Sequence, residues 1–192
     1  MKKIIIISIS LVLLSLVIIS SCKKASTGLA IGQTYEGGII AYILQPGDPG
    51  YIAGQTHGII AATQDQATYV PWDTCFHTLS HLTGASGTAI GTGMANTDSI
   101  IVHQGSGKYA ASLCKAYTGG GYSDWYLPSL NELNKVQINQ FSINGFTTNF
   151  YWSSSEMNKD SANYVNFLKY STINKNPIKT DTLLSVRAVR SF

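Results

Sequence analysis

Residues Gly119 to Leu133, Gly-Gly-Gly-Tyr-Ser-Asp-Trp-Tyr-Leu-Pro-Ser-Leu-Asn-Glu-Leu, constrain the fold more tightly than any other stretch. Three glycines free the backbone, and Trp125-Tyr126-Leu127 offers a large apolar area that has to be covered. Pro128 followed by Ser129 predicts a helix start, with Ser129 at the N-cap or at the first helical position. Glu132 completes a Ser-x-x-Glu pattern, in which each side chain satisfies a backbone N–H of the first turn. Leu130 and Leu133 then turn the helix toward a core. No nucleophile, base and orienting group come together here, so these residues read as a structural corner and chemistry has to be sought elsewhere.

The first residues have a different character. Lys2 and Lys3 precede an apolar run from Ile4 to Ile19, broken only by Ser8, Ser10 and Ser15, and Ser20-Ser21-Cys22 follows at once. A spanning helix needs about 20 apolar residues, and this run is short for one. Charge, apolar run, small residues and cysteine in this order resemble a bacterial lipoprotein signal peptide, with cleavage after residue 21 and acylation of Cys22. An uncleaved anchor with an incidental Cys22 is the competing reading. Each buried methylene adds about 0.8 kcal/mol, so several acyl chains on Cys22 would hold the rest of the chain at a bilayer. The expected organisation is a signal peptide (1–21), a lipidated polar tether (22–30) and one domain (31–192). Lys23 beside the acylated cysteine points to the outer membrane, with the domain at the cell surface.

Removing Lys2 and Lys3 from the 13 Lys and Arg residues leaves 11 against 10 Asp and Glu, which argues against a nucleic-acid partner. The charge is uneven, because Lys159, Lys169, Lys175, Lys179, Arg187 and Arg190 crowd the last third with only Asp160 and Asp181 among them. An anionic partner or an ordinary solvated surface would both fit. With Cys22 acylated, Cys75 and Cys114 remain as partners for a disulfide in an oxidising compartment, closing a long loop for roughly 4 kcal/mol. Two free buried thiols are the alternative. His77 and His81 stand four apart, but no third ligand completes a metal set nearby, and Thr88 to Gly93 lacks the Lys-Ser/Thr ending of a phosphate loop.

Coarse patterning predicts strands over Ile39–Leu44 and Gly58–Ala62 as an antiparallel hairpin, with Asp65–Thr68 as loop. Helices are expected from Asn96 or Thr97 through Ile101, from Lys108 to Tyr117 and from Ser129 to about Val136. Strands follow at Phe150–Glu156, Ala162–Leu168 and Leu184–Arg190, the last alternating strictly, with Leu184, Val186 and Ala188 inward and Ser185 and Arg187 elsewhere.

Five segments taken in order carry a resemblance: Gly37-Gly38-Ile39-Ile40-Ala41-Tyr42, His57-Gly58-Ile59-Ile60-Ala61-Ala62, Gly119 to Leu133, Tyr151-Trp152-Ser153-Ser154-Ser155-Glu156 and Val186-Arg187-Ala188-Val189-Arg190. Together they resemble the C-terminal domain of bacterial collagen-like adhesins. That resemblance implies an α+β, C-type-lectin-like fold, with two or three helices on twisted antiparallel sheets and the termini close together. Leu127 to Glu132 also resembles a helix start of the formylglycine-generating enzymes, which share that fold. The chain departs from the calcium-dependent lectins, having Trp152-Ser153-Ser154 where they have Trp-Asn-Asp and no Glu-Pro-Asn or Gln-Pro-Asp. It also lacks any cysteine after Cys114, which formylglycine chemistry requires. Homotrimers are associated with the family.

The function expected is therefore a lipid-anchored envelope binding module for glycans or anionic polymers, with no cofactor, metal or catalytic residue. Tyr151 or Trp152 would stack on sugar, Glu156, Asn158, Lys159 and Asp160 would add polar contacts, and Lys159, Lys169 and Lys175 would hold anionic groups. Two other classes compete. One is a structural envelope protein without a small ligand; the other is an enzyme using His57, His77, His81 or His103 with Asp65, Asp73 or Glu156, which no spacing ties into a set.

Overall fold

The Gly119–Leu133 corner decides how the first hairpin and the helices meet. The computed structural model describes residues 28–74, 82–147, 150–168, 178–180 and 182–192. Within them the elements run β1 (Thr34–Tyr35), β2 (Gly38–Ile43), β3 (Gly58–Ala61), β4 (Ala67–Val70), α1 (Gly93–Gln104), α2 (Ala110–Lys115), α3 (Leu130–Ile138), α4 (Gln140–Ile143), β5 (Phe150–Glu156), β6 (Ala162–Asn166), β7 (Leu184–Val186) and β8 (Val189–Ser191). Two four-stranded sheets result, in the orders β1-β2-β3-β8 and β4-β7-β5-β6. The first is antiparallel throughout, and the second contains one parallel pair, β5 with β7. The chain is thus an α+β fold, and its first and last strands share a sheet.

The helix start behaves as its sequence dictates. Ser129 is the N-cap of α3: its backbone N–H donates to Glu132 Oε2 at 2.8 Å, and its hydroxyl accepts from the Glu132 N–H. The glycines before it are needed for a close approach. Gly120, at φ +68°, packs so tightly on Gly37 that an added Cβ would lie 2.3 Å from the Gly37 Cα.

Both faces of the central strands are buried, and this separates two apolar clusters. Ile60, Trp72, Ile100, Cys114, Trp125, Trp152 and Val186 belong to one, while Ile59, Tyr126, Leu133, Val136, Tyr151, Phe167 and Val189 belong to the other. The period of two along a strand does the sorting, sending Trp125 and Trp152 one way and their neighbours Tyr126 and Tyr151 the other. Each indole N–H finds a backbone carbonyl, Trp72 on Ser153, Trp125 on Gly119 and Trp152 on Val70.

Four expectations are corrected. Part of the Asp65–Thr68 loop belongs to a strand, since β4 pairs with β7 through Ala67 and Val186. Helix α1 starts at Gly93, and Asn96 and Thr97 are buried inside it, stitching it to Gly87, Ser154 and Leu127. The alternating run Leu184–Arg190 is two strands in two sheets, with Arg187 and Ala188 making the crossing. Cys114 is a free thiol at 0% exposure within the first cluster, so the expected Cys75–Cys114 bridge gives way to a buried side chain. Burial, reinforced by the Asp65 charge, pushes its pKa up and keeps the thiol protonated. Cys75, like His77, His81 and Cys22, lies outside the described residues.

Candidate functional site

Tyr151 and Trp152 are fully buried, so neither presents a ring to a ligand. Glu156 is buried as well. It is ion-paired with Lys179 and accepts the backbone N–H groups of Thr83 and Gly84. Asn158 and Lys159 are exposed on the turn after β5, where the Asn158 side chain accepts from the Asp160 and Ser161 N–H groups and Lys159 pairs with Asp160. Lys169 and Lys175 lie outside the described residues. The expected stacking platform is therefore core, for the physical reason that β5 runs through the middle of the molecule with apolar clusters on both sides.

Three cations of the basic last third have a different use from the one the sequence invites. Lys179 and Arg187 are buried against Glu156 and Asp65. Arg190 pairs with Glu36 and Asp124 and stacks over Tyr122 at 3.8 Å. Asp65 and Glu156, two of the acids considered for catalysis, are thereby bound to cations. The His57 ring bonds Gln55 and the Phe192 carbonyl, and His103 Nδ1 bonds the Ser99 carbonyl. Asp73 is buried. Among the described residues, no three His, Cys, Asp or Glu side chains converge as metal ligands.

A concave surface lies elsewhere, between the loop that joins β2 to β3 and the outer face of α3. Leu133 and Val136 bury the inner face of α3, which leaves Asn131, Asn134, Lys135 and Ile138 on one outward stripe at helical spacing. With Asp48, Pro49, Ala89 and Ile90 they line a hollow of about 370 Å³. A second hollow of about 220 Å³ adjoins it across Pro49 and Ile90, and there Leu44, His57, Glu132, Ser191 and Phe192 contribute.

A polar constellation stands at the mouth of the larger hollow. The Tyr42 hydroxyl donates to Asp48 Oδ2 at 2.6 Å, the Gln45 N–H donates to the same oxygen at 2.8 Å, and Lys135 Nζ sits 4.4 Å from the Tyr42 ring centre. Partial burial works to raise the Asp48 pKa, but the two hydrogen bonds and the Lys135 charge outweigh it and hold the carboxyl below its usual range. Asp48 is therefore held as an anion beside Lys135. Desolvation, followed by the Asp48 hydrogen bond, raises the Tyr42 pKa and keeps its hydroxyl protonated.

The floor of the smaller hollow is the carboxylate that caps α3. Glu132 accepts from the Ser129 and Gly91 N–H groups at 2.8 Å and from the Tyr126 hydroxyl at 3.3 Å. Burial raises its pKa against the pull of these bonds. An added Cβ at Gly93 would lie 2.2 Å from Glu132 Oε2, so the first residue of α1 has no room for a side chain. The capping box thus serves two ends, starting α3 and shaping the hollow.

Sequence reasoning missed Tyr42, Asp48 and Lys135. The Gln45-Pro46-Gly47-Asp48 turn was a legible signal for Asp48, whereas nothing local links it to Lys135, 87 positions on. The α3 wall of the hollow falls within residues 61–190, the span over which the sequence profile of the Lcl C-terminal domain matches, and the Tyr42–Asp48 wall precedes it. No curated protein gives a match. A profile match across so much of the chain, together with the α+β architecture, places the chain in the Lcl C-terminal domain family.

Proposed function

We propose that the chain is an adhesin-type binding module, held at a membrane through an acylated Cys22, whose ligand is a hydroxyl-rich sugar bound between the 44–57 loop and α3. Family membership supports an adhesin-type module. The observation that carries the choice of site is the Tyr42–Asp48–Lys135 constellation, which sets a hydrogen-bond acceptor and a donor side by side at the mouth of a concave surface. Sugars present paired hydroxyls that donate and accept at once. Asn131 and Asn134 extend this polar edge, while Pro49 and Ile90 offer apolar area for a ring face.

An overall neutral edge suits an uncharged or weakly charged glycan better than a polyanion. Of the six cations that made a polyanion attractive from sequence, Lys179 and Arg187 are engaged inside the protein and Arg190 almost wholly so. The C-type-lectin-like expectation agrees with the two sheets and with the sharing of one sheet by the first and last strands. A leader ending in Ser20-Ser21-Cys22, followed by Lys23, supports attachment to the outer membrane.

Screening the full chain in detergent micelles on a glycan array tests this reading. The expected result is retention of a subset of neutral glycans, lost on Lys135→Ala and on Asp48→Asn and kept on Lys159→Ala. Binding to heparin that survives Lys135→Ala but disappears when Lys159, Lys169 and Lys175 are replaced would move the site to the β5–β6 side and refute the hollow as the binding surface.

A further inference from the structure

The end of the domain where the described chain begins carries an unusual set of apolar residues. Gly32 packs against Ser142 so closely that an added Cβ would lie 3.2 Å from the Ser142 carbonyl oxygen, which brings Ile31 and Phe141, their sequence neighbours, to one end of the molecule. Phe141 on α4 is 73% exposed, Ile138 at the end of α3 is 59% exposed, and Ile31 is 41% exposed. The α3–α4 junction that displays them is held firmly, since Asn139 Nδ2 donates to the Ala41 carbonyl at 2.9 Å and to the Lys135 carbonyl at 3.1 Å. Large apolar side chains on a fixed support, close together and uncovered, mark a contact surface.

The chain leading to this end says what covers it. Cys22 stands six residues before Gly28, the first described residue, and six extended residues reach at most about 20 Å. Lys23 and Lys24 lie in that interval and favour an anionic headgroup layer. We infer that Ile31, Ile138 and Phe141 rest on the lipid surface, so that the domain is seated on the bilayer by this face and does not swing free on its tether. The inference depends on the acylation of Cys22 proposed above. A seated domain fixes the hollow beside α3 close to the membrane plane, because Ile138 belongs both to the hollow and to the apolar end. Glycans accessible to it are then those displayed near the surface that bears the protein.

The three native tryptophans are fully buried, which makes an added indole a clean depth probe. The full chain is produced with its leader, the acyl mass on Cys22 is verified, and the protein is reconstituted in vesicles of phosphatidylethanolamine and phosphatidylglycerol with brominated acyl chains. Phe141→Trp is expected to lose fluorescence relative to unbrominated vesicles, while Val102→Trp, at a 79% exposed position on α1, keeps its intensity. Equal intensities for Phe141→Trp in the two vesicle types, with the acyl mass present, would overturn the seating and leave the anchor standing. A blue-shifted but unquenched indole would show a second copy covering this face and overturn it equally. Absence of the acyl mass would overturn the anchor and the seating with it.

Discussion

Among the described residues two cations lie wholly inside the protein, and their surroundings differ in a way that separates two uses of buried charge. Arg187 occupies the crossing between β7 and β8. Its Nε donates to Asp65 at 2.7 Å, Nη1 donates to the Ala62 and Asn144 carbonyls at 2.9 and 3.4 Å, Nη2 donates to the Gly145 carbonyl, and the guanidinium lies 4.1 Å from the Phe146 ring centre. Asp65 in turn accepts from Thr147 and Tyr151. Lys179 meets Glu156 and the Lys159 carbonyl and sits 4.7 Å from the Trp72 ring centre. The lysine neutralises one carboxylate and meets one carbonyl, whereas the arginine fork satisfies three carbonyls of the chain segments that converge where the fold changes sheet. A buried point charge serves a partner; a buried planar fork serves a junction.

That contrast can be broken by substitution, with urea unfolding followed by tryptophan fluorescence as the measurement. Arg187→Met is expected to cost most, about 3–5 kcal/mol, because it strands a buried carboxylate and three carbonyls. Adding Asp65→Asn should recover little of this, since the carbonyls still lack donors. Lys179→Met should cost about 3 kcal/mol, and adding Glu156→Gln should recover most of it, because the amide oxygen still accepts from Thr83 and Gly84. Equal recovery in the two double variants would erase the distinction. Arg187→Lys should lose about 2 kcal/mol by leaving carbonyls unpaired while keeping the charge. Lys159→Ala, which removes an exposed pair with Asp160, should change stability by about 0.5 kcal/mol or less.

Local chemistry in the chain was read correctly at several places where the deciding contacts are themselves local. The Ser129–Glu132 box, the β2–β3 hairpin and the strand at Phe150–Glu156 each follow from residues within a few positions of one another. The parallel β5–β7 pair and the sheet switch at Arg187 and Ala188 did not follow, because unbroken alternation looks the same in one strand as in two that turn into different sheets. Burial of Asn96, Thr97 and the three serines of β5 was also hidden. Polar side chains signal a surface until the partners that satisfy them are known, and here Gly87, Leu127, Leu130 and Asn163 supply those partners. The hollow escaped for the same reason, being made by a turn, a helix face and the last two residues of the chain.

The position of the final strands bears on how the molecule comes into being. β8 completes the sheet begun by the first three strands, and β7 lies in the interior of the other sheet, between β4 and β5. A chain emerging N-terminus first, from a ribosome or through a pore, can therefore complete neither layer until β7 and β8 are free. The earlier strands thus wait for partners that arrive late in synthesis, which places the commitment to the fold near the end of the domain's emergence.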